Sequence, residues 1–230
     1  MNFEQKLVHG YLVRRYKRFL ADIKLDTGKI VTAHCTNSGS MKSCLEPDAE
    51  VYISPTAQPN RKTRYTWEMI KINGNWVGIN TNHPNRLVYE AIVNKELSGF
   101  QHYTTVKREV VFNDSRFDIY AENDTEKCFV EVKNVSMKEG NYALFPDSVT
   151  IRGQKHLVTL REARKAGYRA VMLFIVQRRD VEYFAPAREI DPDYAAQLKK
   201  SADSGVEIMA VMANVSPGKI ILGQMLPIDL

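Results

Sequence analysis

Cysteine is scarce in this sequence and is not paired. The 230 residues include three cysteines, Cys35, Cys44 and Cys128, and no CxxC motif. An odd, unpaired set argues against a disulfide framework and fits the reducing cytoplasm. The cysteines and the five histidines also lack the spacing that zinc sites show.

Long apolar runs are also missing. The longest one, residues 170–176, has the length of a buried strand and is far shorter than the ~18 residues of a membrane span. The first residues, MNFEQKLVHGYLVRRYKRF, contain no apolar segment of the kind that a secretory signal needs. Because 44% of the residues are hydrophobic, a real core can form. We therefore expect a folded cytoplasmic protein without a membrane segment.

Positive charge is concentrated in the first third of the chain. Residues 1–80 contain 12 Lys and Arg against 7 Asp and Glu, whereas residues 81–230 contain 20 of each. The net charge of +5 therefore lies entirely in the first segment. Localised positive charge suits a polyanion such as nucleic acid, because neutralised phosphates release their counterions. A solvated basic surface that only aids solubility is the alternative.

Residues 1–80 have the pattern of short strands separated by turns. The first segment, LVHGYLVRRYKRFLADIKL, predicts one long strand bent near residues 14–17. Asn73-Gly74 predicts a hairpin turn. The other predicted strands are KIVTAHC, EVYISP, RYTWEMIKI and NWVGIN. Five short strands in this length predict a small closed barrel, for which the oligonucleotide/oligosaccharide-binding (OB) barrel is the best-known architecture.

Residues 81–230 have a different pattern, which predicts an α/β core. A helix capped by Asn82 is expected to run to Leu97. Three strands, YTTVKREVVF, SRFDIYA and KCFVEVKNV, should follow, then a loop over residues 136–150, a helix over about 152–166 and the strand RAVMLFIVQ. The last two strands should be parallel, because a helix connects them. A helix over 191–204 and a strand over 206–211 should complete a mixed sheet.

Three polar residues on two neighbouring strands form the candidate site. Alternation along CFVEVK places Glu131 and Lys133 on one face, and alternation along SRFDIY places Phe117 and Ile119 on the apolar face and Asp118 on the polar one. The hairpin between these strands can bring Asp118 close to Glu131. Two neighbouring carboxylates repel unless a cation lies between them, and oxygen ligands suit Mg²⁺ or Mn²⁺.

Lys133 completes a site suited to phosphodiester chemistry. It can position or deprotonate an attacking water, and it can stabilise negative charge that develops on the phosphate. Glu90, on the preceding helix, is a candidate for a further catalytic carboxylate if that helix packs on the same face. The alternative is an ordinary surface ion pair between Glu131 and Lys133.

The segments SRFD and EVK, in this element order, resemble the PD-(D/E)XK nuclease superfamily. There the Asp and the Glu hold the metal and the Lys is catalytic, so the resemblance assigns these roles to Asp118, Glu131 and Lys133. Phe117 stands in place of the Pro of the motif, a substitution that the superfamily tolerates. The resemblance implies a mixed-sheet α/β core of the order αβββαβ.

A second resemblance covers nearly the whole chain. Eight blocks in order are similar to the sugar fermentation stimulation protein A family: RYKRFLADI, HCTNSGSM, TWEMIKI…VGINT, NRLVYEAI, SRFDI, EVKNVS, FPDSVTIRGQKHL and FAPAREID. That family is regarded as DNA-binding, with an OB-like domain followed by a nuclease-like domain. The resemblance implies a basic OB-like barrel over residues 1–80 and a nuclease-like α/β domain over residues 81–230.

Basic residues that interleave with aromatic ones, or that open a helix, are candidates for nucleic-acid contacts. In each case an ordinary solvated surface is the alternative. The loop of residues 37–41 is either a phosphate cradle or a plain turn, and His156 could also reach the DNA backbone. The candidate contacts are Arg14, Arg15, Lys17, Arg18, Arg61, Lys62, Arg64, Arg152, Gln154 and Lys155.

Together these features lead to one main hypothesis and two alternatives. The main one is a DNA-binding protein, with mostly non-specific backbone contacts, that cleaves DNA or RNA with Mg²⁺ or Mn²⁺. The first alternative is a transcriptional regulator that binds DNA without cleaving it and is linked to sugar metabolism of the maltose type. A sugar-binding barrel is the weakest reading. The sequence carries no signal for an oligomer, although dimers are common in the superfamily.

Overall fold

The computed structural model describes residues 1–56 and 61–230. Its first part contains the strands β1 Val8–Tyr16, β2 Leu20–Leu25, β3 Ile30–His34, β4 Glu50–Pro55, β5 Tyr65–Ile72 and β6 Asn75–Gly78. The sheet closes into a barrel because β1 pairs with β4 and β3 pairs with β5. The ring order β1-β2-β3-β5-β4 confirms the predicted OB-like barrel.

The first predicted strand is wrong as a single bent strand. Lys17 and Arg18 have φ of 49° and 63°, and this left-handed backbone turns the chain between β1 and β2. Asn73-Gly74 makes the predicted hairpin, with φ of 47° and 75°. Within the described residues, the strand it adds, β6, pairs with β5 alone and lies outside the closed ring. The ring therefore contains both halves of the segment that was predicted as one strand.

The second part is a mixed sheet in the order β15-β14-β12-β9-β8-β7. Its strands are β7 Thr105–Phe112, β8 Ser115–Glu122, β9 Lys127–Val135, β12 Arg169–Val176, β14 Glu207–Val215 and β15 Ile220–Met225. Its helices are α1 His83–Val93, α2 Ile151–Lys165 and α3 Pro192–Asp203. As predicted, β9 and β12 are parallel and α2 connects them.

Several boundaries differ from the sequence expectations. The first helix ends at Val93, not at Leu97, because Lys95 has a φ of 63° that a helix cannot continue. The predicted loop over 136–150 contains two strands, and these pair with a third to form a small second sheet. That sheet consists of β10 Met137–Glu139, β11 Tyr142–Phe145 and β13 Tyr183–Pro186. No helix in the described ranges is long and apolar enough to cross a membrane.

The main sheet buries one core on each face. Val130 and Val132 of β9 pack with α1 on one side, whereas Phe129 of the same strand packs with α2 and α3 on the other. Residues of opposite parity on β9 therefore reach different cores. Glu131 and Lys133 share the parity of Phe129, so they belong to the α2 side.

The barrel and the α/β domain meet at a polar junction. Arg178 is almost fully buried, and its guanidinium donates to the Ser136 carbonyl oxygen at 2.7 Å and to Ser43 Oγ of the barrel at 3.3 Å. Gly78 N donates to the Gln177 carbonyl oxygen at 2.8 Å. A Cβ added at Gly78 would lie 2.3 Å from Gln177 Oε1, so the two domains approach too closely there for a larger residue.

Candidate active site

Glu131 and Lys133 meet on the face of β9 that α2 covers. Lys133 Nζ donates a hydrogen bond of 2.6 Å to Oε1 of Glu131. The side chain of Glu131 is 2% exposed and that of Lys133 is 16% exposed. A surface ion pair, the alternative reading of the sequence, does not describe a carboxylate buried to this extent.

The helix α2 brings His156 to the same carboxylate. His156 is buried, and its Nδ1–H donates to Oε1 of Glu131, the oxygen that Lys133 also contacts. Nδ1 of His156 lies 3.4 Å from Lys133 Nζ, and Arg152 Nε lies 3.5 Å from the other ring nitrogen. The cluster therefore contains one buried carboxylate surrounded by three basic side chains.

The sequence predicts both His156 and Gln154 as nucleic-acid contacts, whereas the structure places His156 against Glu131 and Gln154 against Asp191. Gln154 Nε2 donates to Asp191 Oδ1 at 3.0 Å and so connects α2 to α3. The missed signal is helical spacing, because His156 precedes the buried Leu160 and Ala163 by four and seven residues. That spacing puts His156 on the inner face of α2.

Asp118 lies where β8 and β9 separate. Paired residues between these strands end at Ile119 and Val130. Beyond that point Asp118 Oδ2 accepts the Val132 N–H at 2.8 Å, a donor that a neighbouring strand would otherwise satisfy. Asn85 of α1 donates to Oδ1 at 2.6 Å. Two donors from different elements therefore fix the orientation of this carboxylate.

The predicted alternation along β8 is wrong at this point. Ile119 packs in the core beneath α1, whereas Phe117 packs on the α2 side with its ring 5.2 Å from that of Phe129. Glu109, in the partner strand β7, has a φ of 58°, and the pairing of β7 with β8 skips Glu109 and Asp118 while keeping the same register on both sides. The irregular backbone turns Asp118 toward the junction of α1 and β9, which a strict period of two does not allow.

The two carboxylates influence each other electrostatically. Burial, and then the charge of Glu131, raises the pKa of Asp118 to about 6. Burial alone would also raise the pKa of Glu131, but the hydrogen bond from His156 and the nearby cations hold it below its usual range. Asp118 therefore takes up a proton at a higher pH than Glu131 does as the solution becomes acidic.

The donor set suits a hard divalent cation only in part. Oε2 of Glu131 is buried and has no hydrogen-bond partner among the described residues, which leaves an oxygen available to a cation. Asp118 contributes carboxylate oxygens that still have free lone pairs. No group of three or more His, Cys, Asp or Glu side chains within residues 1–56 and 61–230 has metal-holding geometry. Mg²⁺ and Mn²⁺ fit such a sparse site, because they keep several waters.

The structure does not bring Glu90 into this cluster. Its carboxylate lies 2.7 Å from Arg86 Nε and 3.7 Å from the amino group of Met1. Asn85 of α1, five positions earlier, reaches the site, because five helical residues make about 1.4 turns and so point its side chain about 140° away from that of Glu90.

The predicted basic residues of the barrel differ in their hydrogen-bond and ion-pair partners. Arg15 donates to the carbonyl oxygens of Asn37 and Gly39 at 2.8 and 2.9 Å, so its guanidinium braces the loop of residues 37–39. Arg14 pairs with Asp22 at 2.9 Å. Lys17 and Arg18 form the exposed tip between β1 and β2. No side-chain hydrogen bond or ion pair of either residue occurs in the described part of the chain.

The remaining predicted contacts lie on two other surfaces. Arg61 Nη1 donates to Thr66 Oγ1 at 3.2 Å, and Lys62 and Arg64 follow in the segment before β5. Lys155 Nζ lies 2.7 Å from Asp114 Oδ2 in the turn between β7 and β8. The basic candidates therefore come from several elements: the β1–β2 hairpin, the segment before β5 and the first turns of α2.

Two family models match the chain. The model described as the SfsA N-terminal OB domain matches residues 13–79, and the model described as the sugar fermentation stimulation protein RE domain matches residues 82–219. Together they match most of the barrel and most of the α/β domain, up to the residue before β15.

Individual proteins give the same relationship. A sugar fermentation stimulation protein homolog of Geotalea uraniireducens is 52% identical over 90% of each chain. One of Geobacter metallireducens is 48% identical over 100% of each chain. Among solved structures, Pyrococcus furiosus SfsA, described as a complex with Ca²⁺, superposes with a TM-score of 0.90 at 29% identity, over 100% of this chain and 98% of the other.

Proposed function

Since the chain belongs to the sugar fermentation stimulation protein family, we propose that it binds nucleic acid and hydrolyses phosphodiester bonds with a divalent cation held by Asp118 and Glu131. The observation that carries this proposal is the state of Glu131. Lys133 and His156 hold one of its oxygens, and the other is buried without a partner among the described residues. An unsatisfied buried carboxylate oxygen is costly, and a bound Mg²⁺ or Mn²⁺ would offset that cost.

A relative of known structure supports the choice of cation. The Pyrococcus furiosus protein is described as a complex with Ca²⁺, which takes oxygen ligands as Mg²⁺ does, although in larger numbers. When bound, the cation would polarise a phosphoryl oxygen and lower the pKa of a bound water.

The chain's own residues would supply the rest of the chemistry. Lys133 can stabilise negative charge on the phosphate or hold the attacking water, because its ammonium lies beside Glu131. His156 holds the Glu131 carboxylate, while Asn85 and the Val132 N–H hold Asp118. In the reaction, water attacks phosphorus, one ester P–O bond breaks, and the leaving oxygen takes up a proton.

The barrel would contribute contacts to the nucleic-acid backbone. Lys17 and Arg18 at the β1–β2 tip are exposed, so their charges are available to phosphates. Binding of this kind is largely independent of sequence and weakens steeply with salt.

The decisive experiment is a cleavage assay with purified protein and Mg²⁺ or Mn²⁺. The panel should contain single-stranded, duplex and structured DNA and RNA. We expect cleavage that chelation abolishes and that Glu131→Ala reduces to background. Cleavage that persists unchanged in Glu131→Ala would identify a contaminating nuclease and would refute the catalytic proposal. Binding that is insensitive to salt would refute the phosphate-contact model.

A second function is favoured by specific observations. The relatives are named for the stimulation of sugar fermentation, and the described residues offer no cluster of three metal-holding side chains. Both observations fit a DNA-binding regulator of sugar metabolism, of the maltose type, that retains the nuclease frame without cleaving. Binding without cleavage across the whole panel would favour this function.

A further inference from the structure

A cavity of about 230 Å³ lies where the barrel meets the α/β domain. One wall is the barrel loop of residues 36–39. The opposite walls are residues 134–137, which directly follow Lys133, and residues 147–148, which precede α2. The cavity therefore begins one residue from the candidate catalytic lysine.

The barrel side of this pocket is held in place. Arg15 donates to the carbonyl oxygens of Asn37 and Gly39, and Asn37 Oδ1 accepts the Gly39 N–H at 2.9 Å. Asp147 then packs directly on Gly39, since a Cβ added at Gly39 would lie 1.9 Å from Asp147 Oδ2. Only glycine allows the carboxylate to occupy this position.

The polar groups of the pocket fall into two sets. Asn37 and Ser136 are hydrogen-bonded to each other across the domain junction at 3.4 Å, and Asn134 accepts from Gln177 at 2.6 Å. By contrast, Asp147 is half-buried and makes no hydrogen bond or ion pair within residues 1–56 and 61–230. A partly desolvated carboxylate without a partner is available to a ligand that donates hydrogen bonds.

This charge decides the chemistry of the ligand. A phosphate would be repelled by Asp147, so the pocket does not suit the phosphate cradle that the sequence suggested for residues 37–41. A nucleobase, however, presents N–H donors on its Watson–Crick edge. Guanine presents two of them side by side, N1–H and N2–H, which matches the two oxygens of one carboxylate.

We propose that this pocket receives an unpaired guanine base next to the scissile phosphodiester, with Asp147 accepting both of its edge N–H groups. The proposal rests on the proposed function, because it places the base beside the phosphate that Lys133 would contact. The volume is below the usual range of about 300–1,000 Å³ for ligand pockets, so it suits one base. The substrate must therefore be single-stranded there or have its base flipped out of the duplex.

The test is equilibrium binding without divalent cations, so that cleavage cannot interfere. Fluorescently labelled oligothymidylates would carry at one central position either guanine, hypoxanthine (which lacks the N2 amino group) or thymine. We expect guanine to bind about tenfold more tightly than the other two. Asp147→Asn should abolish this preference. Asp124→Asn, in the β8–β9 turn at the opposite end of β9, removes the same charge and should retain it.

The possible outcomes distinguish failure of the pocket proposal from failure of the proposed function. A wild-type protein that binds all three oligonucleotides equally, or an Asp147→Asn variant that still prefers guanine, overturns the pocket proposal and leaves the proposed function standing. A uniform gain in affinity for all three in Asp147→Asn would mean that the carboxylate acts only by repelling phosphates, and it also overturns the proposal. Absence of binding to any oligonucleotide at low salt overturns both. Matching thermal unfolding of the two variants would show that both are folded.

Discussion

Lys133 Nζ lies 2.6 Å from Oε1 of Glu131, and His156 donates to the same oxygen. Both basic side chains thus act on one side of the carboxylate and leave Oε2 free of hydrogen bonds in the described part of the chain. This asymmetry orients the free oxygen and keeps Glu131 ionised, since its pKa is held below the usual range despite burial. The arrangement makes His156 a positioning residue for Glu131.

Replacing His156 should weaken cation binding without removing a cation ligand. We expect His156→Ala to lower Mn²⁺ affinity by about 10–100-fold, which is typical of groups that hold a metal-ligating carboxylate. His156→Gln keeps a donor and should recover part of the loss. Calorimetric titration with Mn²⁺ measures both.

His102 provides a matched control for that experiment. It also lies near a glutamate, with Nε2 3.3 Å from Glu126 Oε2, but its side chain is 46% exposed. His102→Ala should leave Mn²⁺ affinity unchanged. Equal affinity of His156→Ala and the wild type would contradict the positioning role.

Asn85, and not Glu90, should be the α1 residue on which the site depends. Asn85→Ala removes a 2.6 Å hydrogen bond to Asp118 Oδ1 and should weaken Mn²⁺ binding several-fold. Glu90→Gln breaks a partly exposed pair with Arg86, and we expect it to change the free energy of unfolding by less than about 1 kcal/mol. Calorimetric titration with Mn²⁺ compares the two variants. A larger loss of Mn²⁺ affinity in Glu90→Gln than in Asn85→Ala would show that Glu90 acts as an outer carboxylate of the site.

The sequence predicted the frame of the site better than its contacts. Alternation in one regular strand was enough to pair Glu131 with Lys133, because both residues depend only on the local backbone. The orientation of Asp118 was not predictable in this way, since it depends on an irregularity at Glu109 in a different strand. Local patterns specify which residues share a face, but they do not specify where a neighbouring strand departs from regular pairing.

Local sequence patterns also could not predict the hydrogen-bond partners of individual arginines. Arg14, Arg15 and Arg18 look equivalent in the sequence, yet Arg15 donates to carbonyls 22 and 24 positions away. The barrel as a whole was predictable, because turn residues and short strands are local signals. The division of its first segment into β1 and β2 was missed because neither Lys17 nor Arg18 is a residue type that favours positive φ.

Charge removal at the barrel tip should reduce nucleic-acid binding without loss of stability. Asn tolerates positive φ, so Lys17→Asn with Arg18→Asn preserves the turn and removes two charges. We expect the slope of log affinity against log salt to fall by about 1.8 on duplex DNA, if both residues contact phosphates. Fluorescence anisotropy at several salt concentrations gives the slope. An unchanged slope would move the contact surface away from this tip.

Arg15→Ala should behave differently from the change at the tip. Its guanidinium satisfies two carbonyl oxygens of the loop of residues 37–39, so the loss should lower the free energy of unfolding by about 1–3 kcal/mol. Urea unfolding of the two variants in parallel tests the distinction. Equal stability of Arg15→Ala and the wild type would show that the loop does not need this brace.

The contribution of the domain junction to the free energy of unfolding should depend on pH, because Asp180 lies in that junction. Burial would raise the pKa of Asp180, but hydrogen bonds from Arg178 and Lys138 lower it from 3.8 to about 2. A carboxyl whose pKa is depressed by folding contributes stability above its unfolded pKa and loses it as the pH falls through the folded value.

Asp180→Asn leaves Arg178 buried without its carboxylate, so we expect a loss of about 2–3 kcal/mol near neutral pH. The difference from the wild type should narrow as the pH falls from about 4 to about 2. Urea unfolding across that range measures it, with Asp203→Asn, which breaks an exposed pair with Lys199, as the control. A difference that stays constant down to the lowest pH would mean that the ionised form of Asp180 does not stabilise the junction.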